Sequence, residues 1–189
     1  MTRTAFTALA PLAAALLIAG AAFAQGPVRY GIGRAATPAE IAALDSDVMP
    51  DGTGLPAGRG TSMEGAPIYA AKCAMCHGRT GKEGPNDVLV GREPRQGFPF
   101  SQDPALPHTI GNYWPYATTI FDYVKRAMPH ANPGSLTNDE VYALTAYLLS
   151  ANGIVPDSAT LDAAALREVK MPYRDRFVPD ERKGGAEVK

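Results

Sequence analysis

Two cysteines, the only two in 189 residues, stand one helical turn apart and are followed at once by a histidine, in Cys73-Ala74-Met75-Cys76-His77. On a helix this spacing presents both sulfurs on one side. There they can add to the two vinyl groups of a haem, while His77 supplies an axial nitrogen to the iron. The stretch therefore reads as a site for one covalently attached haem c.

The chain must also supply the sixth iron ligand. Met63, Met128, Met171, His108 and His130 are the candidates, and Met75 is excluded because it sits inside the attachment loop. Met128 is preferred, in a loop stiffened by Pro129 and Pro133 and far enough downstream to reach the opposite haem face. His130 is its rival, and His108 is expected at the surface or behind the ligands. A metal-ligating histidine needs its other ring nitrogen oriented, usually by a carbonyl; the Gly84-Pro85-Asn86 turn is the expected source, with Pro85 the acceptor. Tyr113, Trp114 and Tyr116 are candidates to line the haem edge, with plain packing at a helix start as the alternative.

Three helices must position these groups. The first runs from Thr61 to His77, tolerating Pro67 only because it lies in the first turn. The second opens at Trp114-Pro115 and runs to about Arg126, with Ala117, Ile120, Phe121 and Val124 on one face. The third is the best specified: Thr137 and Glu140 form a capping box, Leu136 and Val141 a hydrophobic staple, and Gly153 a stop. Val141, Leu144, Tyr147 and Leu148 give it an apolar stripe. About 90 residues make a small core, and a covalently held haem would complete it.

Met1 to Ala24 reads as a secretory signal, with Arg3, an apolar centre and Ala22-Phe23-Ala24 before Gln25. Its removal leaves a chain near neutrality, with no other span able to cross a membrane and no basic stripe for nucleic acid. The expected organisation is residues 1–24 signal peptide, 25–60 N-terminal extension, 61–153 haem domain and 154–189 C-terminal extension. The N-terminal extension mixes turns with one helix, Pro38 to Leu44, capped by Thr37 and Glu40. Tyr30, Ile32, Ile41 and Val48 suggest that it is laid against something. A short helix from Ala163 to Val169 is expected in the C-terminal extension, whose charges balance.

The pattern resembles the class I c-type cytochromes: Gly65 and Tyr69 before the motif, Leu144 and Tyr147 on the last helix, Cys73, Cys76, His77, Pro85 and Met128. The resemblance implies an all-α, cytochrome c-like helical domain around one haem, with irregular N- and C-terminal extensions. Tyr30 to Arg34, Asp51 to Pro56, Tyr113 to Thr119, Arg126 to Pro129 and Met171-Pro172 are similar to the monohaem cytochrome subunits of bacterial sulfite and sulfur dehydrogenases. That likeness implies a periplasmic electron-transfer subunit with a molybdopterin oxidoreductase subunit as donor and another cytochrome c or an oxidase as acceptor. The extensions would then be docking arms.

The alternative is a haem enzyme acting alone, such as a peroxidase or a thiosulfate-oxidising cytochrome, which needs an exchangeable sixth ligand. A thioredoxin-like dithiol lacks the alternating strands and helices of that fold, and a zinc site lacks further cysteines.

Overall fold

The computed structural model describes residues 30–178. The expected signal peptide and the end of the C-terminal extension lie outside the described residues. The chain divides after Ala43 into two compact units.

In the first unit the short helix α1 (Pro38–Leu44) forms where Thr37 and Glu40 exchange backbone and side-chain hydrogen bonds, as its capping box predicts. It buries no residue. Of the apolar residues of the N-terminal extension, Tyr30, Ile32 and Ile41 are exposed, whereas Val48 is buried. Seven residues with one capping box order a turn of helix without needing a buried face.

The second unit is mostly helical. Strand β1 (Arg59–Thr61) leads directly into α2 (Ser62–Lys72), capped by a Thr61–Glu64 box. A one-turn helix α3 (Ala74–His77) follows, then a long irregular stretch. Helices α4 (Ala117–Ala127) and α5 (Asn138–Ala151) come next, followed by β2 (Thr160–Asp162) and α6 (Ala163–Arg167). The expected single first helix is broken at Cys73, whose backbone departs from helical geometry, and Pro67 lies inside α2 rather than in its first turn. The second helix begins at Ala117 rather than at Trp114-Pro115 because Tyr116 is its extended N-cap.

Helix α5 is the centre of the unit. The Thr137–Glu140 box and Leu136 staple sit where expected, but burial is not confined to one stripe: Tyr142, Ala143, Thr145, Ala146 and Leu149 are buried too. The helix is enclosed because α2, α4, β1 and β2 all pack against it. Helix α2 approaches so closely that a Cβ on Gly65 would lie 2.1 Å from the Ala143 carbonyl oxygen. The Tyr69 and Tyr147 rings meet at 5.0 Å beside that crossing.

Both flanks of the haem-motif region are integrated into this unit. Strands β1 and β2 pair antiparallel, with Gly60 opposite Leu161. The N-terminal flank forms a strap over α4 and α5, held through its own backbone. Val48 N–H donates to Asp122 (2.9 Å), and the Thr118 and Tyr142 hydroxyls donate to the Pro50 and Pro56 carbonyls (both 2.8 Å). From the C-terminal flank, Leu161, Leu166 and Met171 enter the same core. Glycine, proline and polar residues in the strap gave no periodicity to announce this, because its anchors are main-chain groups.

Candidate haem site

The irregular stretch between α3 and α4 and the loop after α4 enclose a crevice with two lobes of 660 and 780 Å³. Each lies within the usual range of about 300–1,000 Å³ for a small-molecule or cofactor site. His77, Leu89, Val124, Met128 and Leu148 border both lobes, so the two are parts of one space with a predominantly apolar wall.

The elements explain the placement. Helix α2 ends at Lys72, and Cys73 N–H still bonds to the Tyr69 carbonyl at 2.9 Å. The next turn then carries Cys76 and His77 to the crevice, both cysteines lining its larger lobe. Tyr69 donates to the Gly78 carbonyl at 3.0 Å, pinning the end of that turn. Burial, more than neighbouring charge, pushes the Tyr69 phenol up to about 12.

Burial likewise pushes the Cys73 thiol up to about 11. A dithiol working by exchange needs a sulfur with a lowered pKa. Cys73 is shifted the other way, which disfavours the thioredoxin-like alternative.

His77 Nδ1 lies 2.9 Å from the Asp87 carbonyl oxygen, leaving Nε2 for a metal. The acceptor is therefore Asp87 and not Pro85. The Gly84-Pro85-Asn86 turn folds back so that Asn86 N–H bonds to the Cys76 carbonyl, which brings the residue after it beneath the imidazole. Pro85 still lines the crevice.

Met128 follows α4 as its extended C-cap, and its N–H bonds to the Val124 carbonyl at 3.2 Å. Lys125 Nζ donates to the Leu136 carbonyl at 2.8 Å and so closes the base of the Met128–Leu136 loop. His130 borders one lobe only, whereas Met128, like His77, borders both. Met63 is exposed and Met171 is buried in the core, neither lining the crevice.

Of the expected aromatic residues, Trp114 and Tyr113 line the smaller lobe. The Trp114 indole N–H is taken by the Thr119 hydroxyl at 2.9 Å. Tyr116 does not line the crevice; the Arg174 guanidinium lies 4.4 Å from its ring centroid. Its position just before α4 turns the side chain toward the C-terminal flank instead. Tyr123, which was not among the sequence candidates, borders both lobes, and its place three residues after Ile120 on the predicted face was the available signal. His108 is exposed, as expected, and also borders the smaller lobe.

The donor set fits a covalently held haem: two thiols at one end of an apolar crevice, an imidazole oriented by a carbonyl, and a thioether in the same space. Among the described residues, no group of three or more acidic, histidine or cysteine side chains is placed to hold a metal ion by itself. No described helix is long and apolar enough to cross a membrane.

Comparison with known proteins agrees with this geometry. Residues 60–148 match the family model described as cytochrome c oxidase, cbb3-type, subunit III. No curated protein matches the chain. Among solved structures, the chain is similar to one in the crystal structure of the sulfane dehydrogenase SoxCD from Paracoccus pantotrophus. The two share 41% identity, covering 82% of this chain and 74% of that one, with a TM-score of 0.69. That coverage reaches well beyond the span of the family model and into the flanks. A CxxCH turn, an apolar crevice lined from α2, α3, α4 and α5, and this breadth of likeness place the chain in the class I c-type cytochrome family.

Proposed function

We propose that this chain is a periplasmic monohaem cytochrome c. It takes single electrons from a molybdopterin subunit that oxidises a reduced sulfur compound, and passes them to another cytochrome c or an oxidase. The observation that carries the reading is that His77 and Met128 border both lobes of one crevice whose larger lobe is lined by Cys73 and Cys76. In this reading Cys73 and Cys76 hold the haem by thioether bonds, and His77 and Met128 ligate its iron. A bound haem supplies a one-electron couple, and methionine as the second axial ligand raises its potential.

The remaining residues orient and enclose. The Asp87 carbonyl fixes the imidazole tautomer. Lys125 closes the methionine loop. The apolar wall excludes water from the iron. With both axial positions filled by the chain there is no open position for substrate, which favours a carrier over the stand-alone enzyme.

The likeness to a sulfane dehydrogenase chain supports the donor, together with the exposed Tyr30, Ile32 and Ile41 in the N-terminal unit. These apolar side chains leave the N-terminal extension, rather than the integrated C-terminal one, as the arm for a partner. Export rests on residues 1–24 acting as a cleaved signal.

Purifying the exported protein from its native host tests the whole reading. A molybdenum subunit is expected to co-purify, and a reduced sulfur donor such as sulfite or a sulfane is expected to reduce the haem. Recovery as a free monomer reduced by neither in a cell extract refutes the partner and leaves a general carrier. A Met128→Ala protein that keeps catalytic turnover by itself refutes the carrier.

A further inference from the structure

The smaller lobe of the crevice lies away from the cysteines, and part of its wall is made by His108 and Tyr113, whose rings stack at 4.0 Å and 16°. Their backbone is fixed independently of those rings. Buried Asn112 accepts from Thr109 N–H (2.8 Å) and donates to the Pro107 carbonyl (3.1 Å). The rings themselves are held by residues distant in sequence. Phe98 stacks on Tyr113 at 5.7 Å, and Phe177 meets both, edge-on at 5.3 Å from each. Tyr173 packs on Phe98 at 5.9 Å and donates its hydroxyl to the Pro94 carbonyl at 3.2 Å. A one-turn helix at Arg174–Arg176 lies between Tyr173 and Phe177.

We propose that Tyr173 and Phe177, in the C-terminal extension, are positioning residues of the haem crevice, bracketing the Phe98–Tyr113–His108 stack that closes its end away from the cysteines. This rests on the reading that the crevice holds a covalent haem. Aromatic pairs of this kind stabilise beyond the area they bury. Deleting the Phe177 ring removes two of them from the back of the wall and loosens Tyr113, although buried Phe100 still meets Tyr113 and His108 edge-on at 5.1 Å from each. Water then reaches that end of the crevice. Ferric haem carries one more positive charge than ferrous haem, so water favours the ferric form and the midpoint potential falls.

The test uses the full chain, matured with haem, in three variants: Phe177→Ala, Phe177→Trp and Tyr173→Phe. Covalent haem is checked by pyridine haemochrome, and midpoint potential and unfolding midpoint are measured. Phe177→Ala is expected to retain haem and shift the ferric/ferrous ratio about threefold toward ferric, roughly 28 mV for a one-electron couple at 59 mV per tenfold. Phe177→Trp, which restores a ring, should return most of the potential. Tyr173→Phe, which loses only the bond to Pro94, should shift the potential less and in the same direction. If Phe177→Ala fails to fold, Tyr173→Phe decides by the same criterion. Haem retained with a lower unfolding midpoint and an unchanged potential overturns the proposal, because a merely structural residue behaves that way. Absence of covalent haem from the wild-type chain is a separate result, overturning the reading of the crevice itself.

Discussion

Replacing Gly65 by alanine probes the contact that positions the attachment turn. A methyl group there would lie 2.1 Å from the Ala143 carbonyl oxygen, 2.6 Å from its carbon and 2.8 Å from the Tyr147 Cβ. Two of these atoms are main chain and none is the far end of a flexible side chain, so α2 and α5 must move apart by about an ångström. Overpacking a well-filled interface costs about 1–3 kcal/mol. Against this, alanine gains about 0.5–1 kcal/mol over glycine in a helix interior. The clash wins, with an expected net loss of about 1–2 kcal/mol. Guanidinium unfolding of the haem-loaded protein, followed by far-UV circular dichroism, measures it. At 2–4 °C per kcal/mol for a chain of about this size, the thermal midpoint should fall by roughly 2–8 °C. A Gly65→Ala protein as stable as wild type would falsify the close-crossing argument, because helix propensity alone would then have decided the outcome.

Other outcomes follow from single contacts. Met128→His should keep two axial ligands but lower the midpoint potential, seen by potentiometric titration, since thioether ligation raises it. Leu166→Ala should lose about 2–5 kcal/mol, as expected for a fully buried leucine; an effect near zero would show that the C-terminal extension is not part of the core. Thr137→Ala removes the cap of α5 and should destabilise by about 0.5–2 kcal/mol in the same unfolding assay. Asp122 gives a pH dependence. Burial pushes its carboxyl up, but hydrogen bonds from Arg126 and Val48 N–H outweigh that and hold it below its ordinary value. Its contribution is therefore present above the ordinary Asp value of about 3.9 and lost as pH falls through the folded value. The stability gap between wild type and Asp122→Asn should be open at pH 7 and narrow below about pH 4.

The parts of the site carried by side-chain identity were legible in the sequence. Cys73, Cys76 and His77 announce themselves by spacing, and Thr137 and Glu140 announce a helix start whose bonds are then found in place. Met128 needed only its position after an amphipathic helix. What was not legible is carried by the main chain. The carbonyl beneath His77 belongs to Asp87 because of how one turn folds back, and any residue type could have supplied it. The strap on α4 and α5 and the three-residue ladder are held by backbone groups, which leave no pattern in hydropathy. The aromatic stack joins Phe98 and Tyr113 to Phe177, far along the chain, a pairing that local periodicity cannot express.

The β1–β2 ladder has a mechanical consequence. Arg59 and Asp162 are paired, and they are the ladder residues nearest the two ends of the chain. A pull on the two ends therefore opens the ladder like a zip, one rung after another, instead of shearing all rungs at once. The strap and the C-terminal flank lie outside the ladder along the chain and take up tension first. Only after both have peeled away and the rungs have opened does load reach α2 and α5, the helices that frame the attachment turn. A chain pulled from its two ends would thus yield at its flanks, the aromatic bracket of Tyr173 and Phe177 included, before load reached the attachment turn.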